Sequence, residues 1–480
     1  MEKFRLGFTA FVTNALKLLL GLILITALGA VAVYTKTFDI STVITIAVYV
    51  ITFLGGIYIV NNKNISLRTK IILILVWGAI LRILWMLNAN TVPQSDFHTM
   101  YVSGQELLKG DNSAFIGTGY LGRFPHLIPM AVYMASMIKL FPVSNIIAMK
   151  GVNLVLSLWC IYLMYKIVKE VFDSEKYGMI GAILAAVFPP FITYVGVLVT
   201  ENIAIPFYML SIYIFILCVK KKLNSWWYFA AGIALGIGNL FRTVAVVTLV
   251  ALIMFIIIYV KEKWKIKAKG IVLLIIAFQL VTVGTGLVFI GTGVTNELLT
   301  NGTEPNITSI LKGTNVQSGG RWNPEDAAIP EKYHFNKKEI IKACDKIIYD
   351  RLTETPKPVL AKFYLEKYVL QWSEGTASGM YWTELNMKPS QMHVYFNNGG
   401  LGIFQLVFTA IMLFVVIGLF NKKRSREGNG LINLFYIMFC GYGITYLITE
   451  TQGRYAYIVA WIFIIMALAG LERIKNGKVN

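Results

Sequence analysis

Apolar runs long enough to cross the ~30 Å hydrocarbon core of a bilayer, about 20 residues as helix, recur along nearly the whole chain. Inside a bilayer every backbone N–H and C=O must be satisfied by protein, which leaves helices and closed barrels as spanning structures. A barrel strand needs only about ten residues, so runs of this length select helices. Charged residues make up 14% of the 480 and hydrophobic ones 56%, against roughly 25% charged in soluble globular proteins. The fold class expected is all-α and integral to the membrane.

The net charge of +19 would suit nucleic acid, but Lys and Arg concentrate in short clusters beside apolar runs, at residues 61–70, 220–222, 261–269 and 421–426. Such clusters fix membrane orientation and mark cytoplasmic turns. The bilayer is therefore the expected partner and nucleic acid is not. Cys160, Cys218 and Cys440 fall within apolar runs as small hydrophobes, Cys344 stands alone in a polar stretch, and no CxxC pair suggests a thiolate metal site. The first apolar segment continues to about Val33 without a small-x-small cleavage pattern, so it reads as an uncleaved span rather than a signal peptide.

Keeping the basic clusters inside gives twelve spans with both termini cytoplasmic: 11–34, 40–60, 70–87, 145–165, 180–196, 203–219, a short pair within 226–260, 271–290, 401–420, 431–447 and 456–471. Residues 124–141, with Pro129 inside them, are too short to span, and counting them as a crossing would turn Lys220, Lys221 and Lys222 outward. They are expected to lie in the outer interface. The short pair forces a turn near Asn239 and Arg242, so Arg242 reaches the outer side by counting alone. Arg82, near the outer end of its span, is expected to snorkel to the headgroups.

This divides the chain into a transmembrane region, 1–290, with an outer loop at 88–124 and an interfacial helix at 124–141; an extracytoplasmic module, 291–400; and a C-terminal transmembrane region, 401–480. In the module, 336–352 has Ile340, Ile341, Ile347, Ile348 and Leu352 spaced for one apolar helical face, and 359–372 is expected to rest on the membrane surface.

The topology gathers Asp96, His98, Glu201, Arg242, Glu450 and Arg454 on the outer face. Single charges at span ends serve as interface anchors about as often as they serve chemistry, whereas charges set within mostly apolar turns tend to be functional. A carboxylate such as Asp96 can take a proton from a hydroxyl. Guanidiniums such as Arg242 and Arg454 can grip a phosphate through parallel hydrogen bonds. Glu201 either caps the helix that follows it or orients an acceptor or a phosphate-binding cation. His98, His126, His334 and His393 all fall on the outer side without ligand spacing, so no metal is expected. Trp322, Trp372, Tyr381, Trp382 and Tyr395 suit an interfacial aromatic belt, with sugar stacking as the alternative.

Four stretches appear in order: PQSDFHTMYVSGQELLKG after a span, VTENIAIP, GIALGIGNLFR, and ETQGRY before the last span. Together they resemble the polyprenyl-phosphate-sugar-dependent transferases of the GT-C superfold, particularly bacterial relatives of protein O-mannosyltransferases and the lipid A aminoarabinose transferase, over residues 69–471. The resemblance implies a GT-C-like bundle of about 12 transmembrane helices with outer interfacial helices and a small extracytoplasmic module. It implies an inverting glycosyltransferase in the cell membrane, moving a sugar from a polyprenyl-phosphate donor to an extracytoplasmic cell-envelope acceptor, whether glycan, lipid or protein. Asp96 would be the general base and Arg242 and Arg454 the donor-phosphate contacts, with Glu201, His98 and Glu450 binding the acceptor or orienting the others. Many relatives carry an acidic pair in the first outer loop, where this chain has Asp96 followed by Phe97, so no cofactor is expected. Two other readings stand beside this one. A glycan polymerase or ligase would lean on Arg and His rather than Asp, and a lipid or solute transporter would use Gly284, Gly286, Gly291 and Gly293 as the mark of a broken helix.

Overall fold

The computed structural model describes residues 2–427 and 430–477, which form a bundle of helices whose one isolated bridge pairs Ala89 with Met392. Among the described residues, seven helices are long and apolar enough to cross a bilayer unaided: Glu2–Tyr34, Ile40–Asn61, Leu67–Asn88, Asn145–Phe172, Glu201–Val219, Trp264–Gly291 and Gly399–Gly418. An eighth is bent by 58° where Gly453–Ala460 meets Ile462–Gly477, and Trp227–Phe241, Ala245–Tyr259 and Ile432–Ile448 are shorter apolar helices. This is a multi-pass membrane protein. Helix Ile40–Asn61 turns Ile51, Leu54 and Ile57 outward, as lipid demands, while Glu201–Val219 is mostly buried at the centre.

The expected span at 180–196 takes another form. Helix Glu175–Ala186 has 12 residues and stops before Pro189 and Pro190, which open the separate turn Pro189–Thr193; proline has no N–H to continue the ladder. The break frees the carbonyls of Ala185 and Ala186, and Arg82 takes them. Its Nη1 donates to Ala186 O at 2.9 Å and Gly78 O at 3.1 Å, Nη2 to Ala185 O at 3.3 Å, and Nε to Ser157 Oγ at 2.6 Å. Arg82 is fully buried, so it does not snorkel; its donors find acceptors inside the bundle instead.

The basic clusters gather at one end. Lys222 pairs with Glu170 at 2.7 Å, Lys221 with Glu262, Arg424 with Glu472, and Lys176 donates to Asn61 at 2.9 Å. The opposite end carries the turns at 194–200, 242–244 and 449–456 together with residues 88–141 and the module.

Helix Ile128–Leu140 has 13 residues, about 20 Å at 1.5 Å per residue, and Pro129 sits in its first turn, where a missing N–H is harmless. Both of its flanks stay at the same end, because Tyr101 donates to Asn145 Oδ1 at 2.9 Å. It packs on Asp96–Leu108 at Gly104, where a Cβ would lie 3.0 Å from Ala131 O. Trp264–Gly291 runs unbroken through Gly284 and Gly286, so these glycines mark no interrupted helix.

In the module, Lys337–Glu354 buries Ile340 and Cys344 against Leu311, while Ile341 is exposed. The next helix, Lys357–Trp372, packs one face into the bundle and leaves Val359, Leu365 and Leu370 exposed. It buries Lys367, Tyr368, Gln371 and Trp372 against Ile432–Ile448 and the turn at 453–456. Lys367 is the reason: its Nζ donates to Gly313 O at 2.6 Å and to Leu447 O and Thr449 O at 2.8 Å, the C-terminal carbonyls of two helices, where a cation is favoured.

Candidate active site

The segments at this end enclose a cavity of about 2490 Å³, beyond the 300–1,000 Å³ of an ordinary small-molecule site. Asp96, Arg242, Glu450 and Arg454 line it. Glu201 lies directly behind the two arginines, fully buried. His98 is exposed and does not line the cavity.

Asp96 opens the helix Asp96–Leu108 after a pinned, extended approach. Asn88 Nδ2 donates to Val394 O at 2.9 Å, and Thr91 Oγ1 to Gly196 O at 2.5 Å. Ser95 then takes φ 53°, a left-handed conformation that a non-glycine residue holds only where its surroundings enforce it. The carboxylate thus sits in a first helical turn, where the helix dipole favours negative charge. Tyr120 bonds to it, and burial together with the Asp96 charge holds the phenol above its ordinary range. Burial and the charge of Arg242 push the nearby His126 imidazole down to about 4, against the pull of Asp96.

Opposite, one carboxylate faces two guanidiniums. Glu201 Oε1 lies 3.5 Å from Arg242 Nε and 3.6 Å from Arg454 Nε, and Glu201 Oε2 accepts from Thr200 Oγ1 at 3.0 Å. Aromatic faces fix the arginines. Arg454 lies 4.8 Å from the Phe97 ring centre and 4.7 Å from that of Trp382, and Arg242 lies 4.5 Å from that of Tyr455. Arg242 Nε and Arg454 Nε and Nη1 are buried and make no hydrogen bond. Buried donors are normally paired, and each unpaired one costs about 1–3 kcal/mol. The two Nε atoms face Glu201 Oε1, whereas Arg454 Nη1 has no such partner; that free donor on a unit of net charge +1 marks a place for an anion.

Packing over long sequence separations builds this unit. Tyr457 donates to Asn202 Oδ1 at 2.9 Å and stacks on Tyr194 at 4.1 Å, which docks the Arg454 turn on the start of Glu201–Val219. The Tyr208 hydroxyl donates to Arg242 O. That contact requires Gly238, whose Cβ would fall 2.4 Å from the Tyr208 ring.

Glu450 is already engaged. It lies 3.8 Å from Lys312 Nζ and accepts from Gln452 Nε2 at 2.7 Å. Lys312 is also 3.8 Å from Glu304, which Arg123 grips at 2.7 Å. This chain of alternating charge joins the first loop, the module and the last turn along the cavity wall. Sequence reasoning missed Tyr120, Arg123, Glu304 and Lys312. Arg123 closed the polar stretch that held Asp96, a usable signal, whereas Glu304 and Lys312 lie in an Asn-, Gly- and Thr-rich stretch of sequence without a motif.

Residues 125–288 match the model of the dolichyl-phosphate-mannose-protein mannosyltransferase family. Among solved structures, the apo oligosaccharyltransferase of Archaeoglobus fulgidus is similar over 86% of this chain, with a TM-score of 0.52 and 15% identity. The fold is GT-C. This GT-C chain spans about half of that oligosaccharyltransferase, 51% of its length, and no curated protein sequence matches it. The family match includes Glu201 and Arg242; Asp96 and Arg454 fall outside the matched residues.

Proposed function

We propose that this protein is an inverting glycosyltransferase that moves a sugar from a polyprenyl-phosphate donor to a hydroxyl of an extracytoplasmic cell-envelope acceptor. The observation that carries this reading is the Arg242–Glu201–Arg454 unit, with its free Arg454 Nη1 donor, on the wall of the cavity that Asp96 also lines. Arg242 and Arg454 hold the donor phosphate, and Glu201 orients them through their Nε atoms, leaving the outer guanidinium nitrogens toward the ligand. Asp96 takes the acceptor hydroxyl proton as that oxygen bonds to the anomeric carbon. The carbon–phosphate-oxygen bond breaks on the opposite face, and the charge released onto the lipid phosphate falls on the arginines. This assigns leaving-group stabilisation to guanidiniums rather than to a metal.

Two further features support the reading. Thr26, Gly29 and Ala30 of the first helix and Phe278, Gln279 and Thr282 of Trp264–Gly291 line the same cavity, giving it walls at bilayer depth for a lipid tail. The basic turns gather at the other end of the bundle, so the positive-inside tendency turns the cavity outward and leaves both termini cytoplasmic.

The test is transfer of radiolabelled sugar from a panel of polyprenyl-phosphate sugars to envelope extract by purified wild type and Asp96→Asn. We expect the folded variant to lose at least ~10²-fold in rate, the contribution of a general base. Equal rates would leave the base elsewhere, and movement of lipid across vesicles without transfer would favour a transporter. The cavity volume and the likeness to an oligosaccharyltransferase support a second reading, transfer of a preassembled oligosaccharide. Donors bearing oligosaccharides in the same panel separate the two.

A further inference from the structure

One wall of the cavity has no part in the chemistry above. It is the loop 315–323, which lines the cavity with Gln317, Ser318, Arg321 and Trp322. Trp322 is 57% exposed and Arg321 is also exposed. Presenting an indole to water forgoes about 1.5–3 kcal/mol that burial of a large apolar side chain gives, so the loop's rigidity matters.

Asp326, itself buried, anchors the loop. It accepts from Asn315 at 3.0 Å and Asn323 at 2.9 Å and pairs with Arg351 at 2.8 Å. Ser318 N donates to Asn315 Oδ1 at 3.1 Å, and Gly319 and Gly320 turn the chain at φ 66° and 74°. A side chain at 320 would meet Lys367, since its Cβ would lie 2.9 Å from Lys367 Cε. Thr451 N donates to Gly320 O at 2.9 Å, tying the loop to the turn that carries Arg454. The loop is thus held at both its base and its tip, while Arg321 and Trp322 stay exposed on the cavity wall.

We propose that this wall is an acceptor subsite for a saccharide, with a pyranose ring stacked on Trp322 and its polar substituents held by Arg321, Gln317 and Ser318. A flat indole offers an apolar face to the C–H side of a sugar ring, and the amide, hydroxyl and guanidinium supply donors and acceptors for its edge. A bilayer is the other occupant an exposed tryptophan suits. Here Trp322 shares its loop with Gln317, Ser318 and Arg321, which line the cavity with it and offer the donors and acceptors that the edge of a sugar uses. The proposal rests on the glycosyltransferase reading only in naming the bound saccharide an acceptor.

The experiment measures binding, without turnover, of chitotetraose, mannotetraose and a Ser/Thr-containing nonapeptide by saturation-transfer NMR. The proteins are the full-length wild type, Trp322→Ala, Trp322→Phe and Arg321→Ala, with undecaprenyl phosphate binding measured alongside. We expect a saccharide to bind wild type, about tenfold weaker binding by Trp322→Ala, as loss of a stacking aromatic predicts, and recovery in Trp322→Phe, with undecaprenyl phosphate affinity unchanged throughout. Wild type that binds neither saccharide, saccharide binding indifferent to Trp322, or a Trp322-dependent site for the peptide alone would each overturn the proposal. Undecaprenyl phosphate affinity that falls with Trp322→Ala would overturn it too, assigning the residue to lipid. Failure of the glycosyltransferase reading has a separate signature: absent transfer with every donor, whatever the saccharide binding.

Discussion

Glu201 is the single carboxylate paired with both Arg242 and Arg454 among the described residues. Its loss would leave two buried guanidiniums facing each other. Removing one partner of a buried ionic unit costs about 3–5 kcal/mol, so Glu201→Gln should show a clearly lowered thermal unfolding midpoint in micelles, and added undecaprenyl phosphate should restore part of it by supplying an anion. A midpoint equal to wild type would show that the arginines are compensated elsewhere. His126 gives a pH signature. Its folded pKa, about 4, lies below the ordinary 6.5, so the unfolded chain takes a proton that the folded one refuses. The stability this group contributes is complete above pH 6.5 and is lost as pH falls toward 4. Denaturant unfolding across that window should show a shallower slope in His126→Gln than in wild type.

Among the elements, the break after Glu175–Ala186 makes the strongest demand on its surroundings. Arg82→Met keeps roughly the side-chain volume but strips the donors from Ala185 O and Ala186 O, which Pro189 and Pro190 leave without a helical partner. At about 1–3 kcal/mol for each unsatisfied buried group, it should destabilise the protein severely, seen as lost monodisperse yield and an early thermal transition. A headgroup anchor would have produced neither effect. Helix Ile128–Leu140 shows the complementary case: its apolar composition would suit a span, but its length and the Tyr101–Asn145 contact keep it at one end. There it packs beside Asp96–Leu108, the helix that Asp96 opens.

At the scale of the whole molecule, the cavity and the basic turns occupy opposite ends. A cysteine introduced at Lys221, among the basic turns, should react with an impermeant maleimide only after the membrane is opened. One introduced at Tyr349, 67% exposed in the module, should react in intact cells. Reversed labelling would place the cavity in the cytoplasm and exclude an extracytoplasmic acceptor. The cavity also owes its closure to the module, since Glu304 and Lys312 complete the charged chain from Arg123 to Glu450.

Hydropathy, basic clusters and segment length are local properties, so the sequence alone determined the helical bundle, the turn that carries Arg242, and the set of segments, away from the basic turns, that meet in the cavity. It also singled out Asp96, Arg242 and Arg454, since charges in apolar turns stand out without any knowledge of their partners. Tertiary structure decided what those charges do. Glu201 and Arg454 are distant in sequence and meet because Tyr457 docks on Asn202 and Tyr194. His98 follows Asp96 by two residues, yet residues two apart on a helix face different ways, and it points away from the cavity. Arg82 looked like a headgroup anchor and became a buried clamp on helix-end carbonyls, because which carbonyls lack a partner depends on how helices end and pack, and no local pattern of side chains records that.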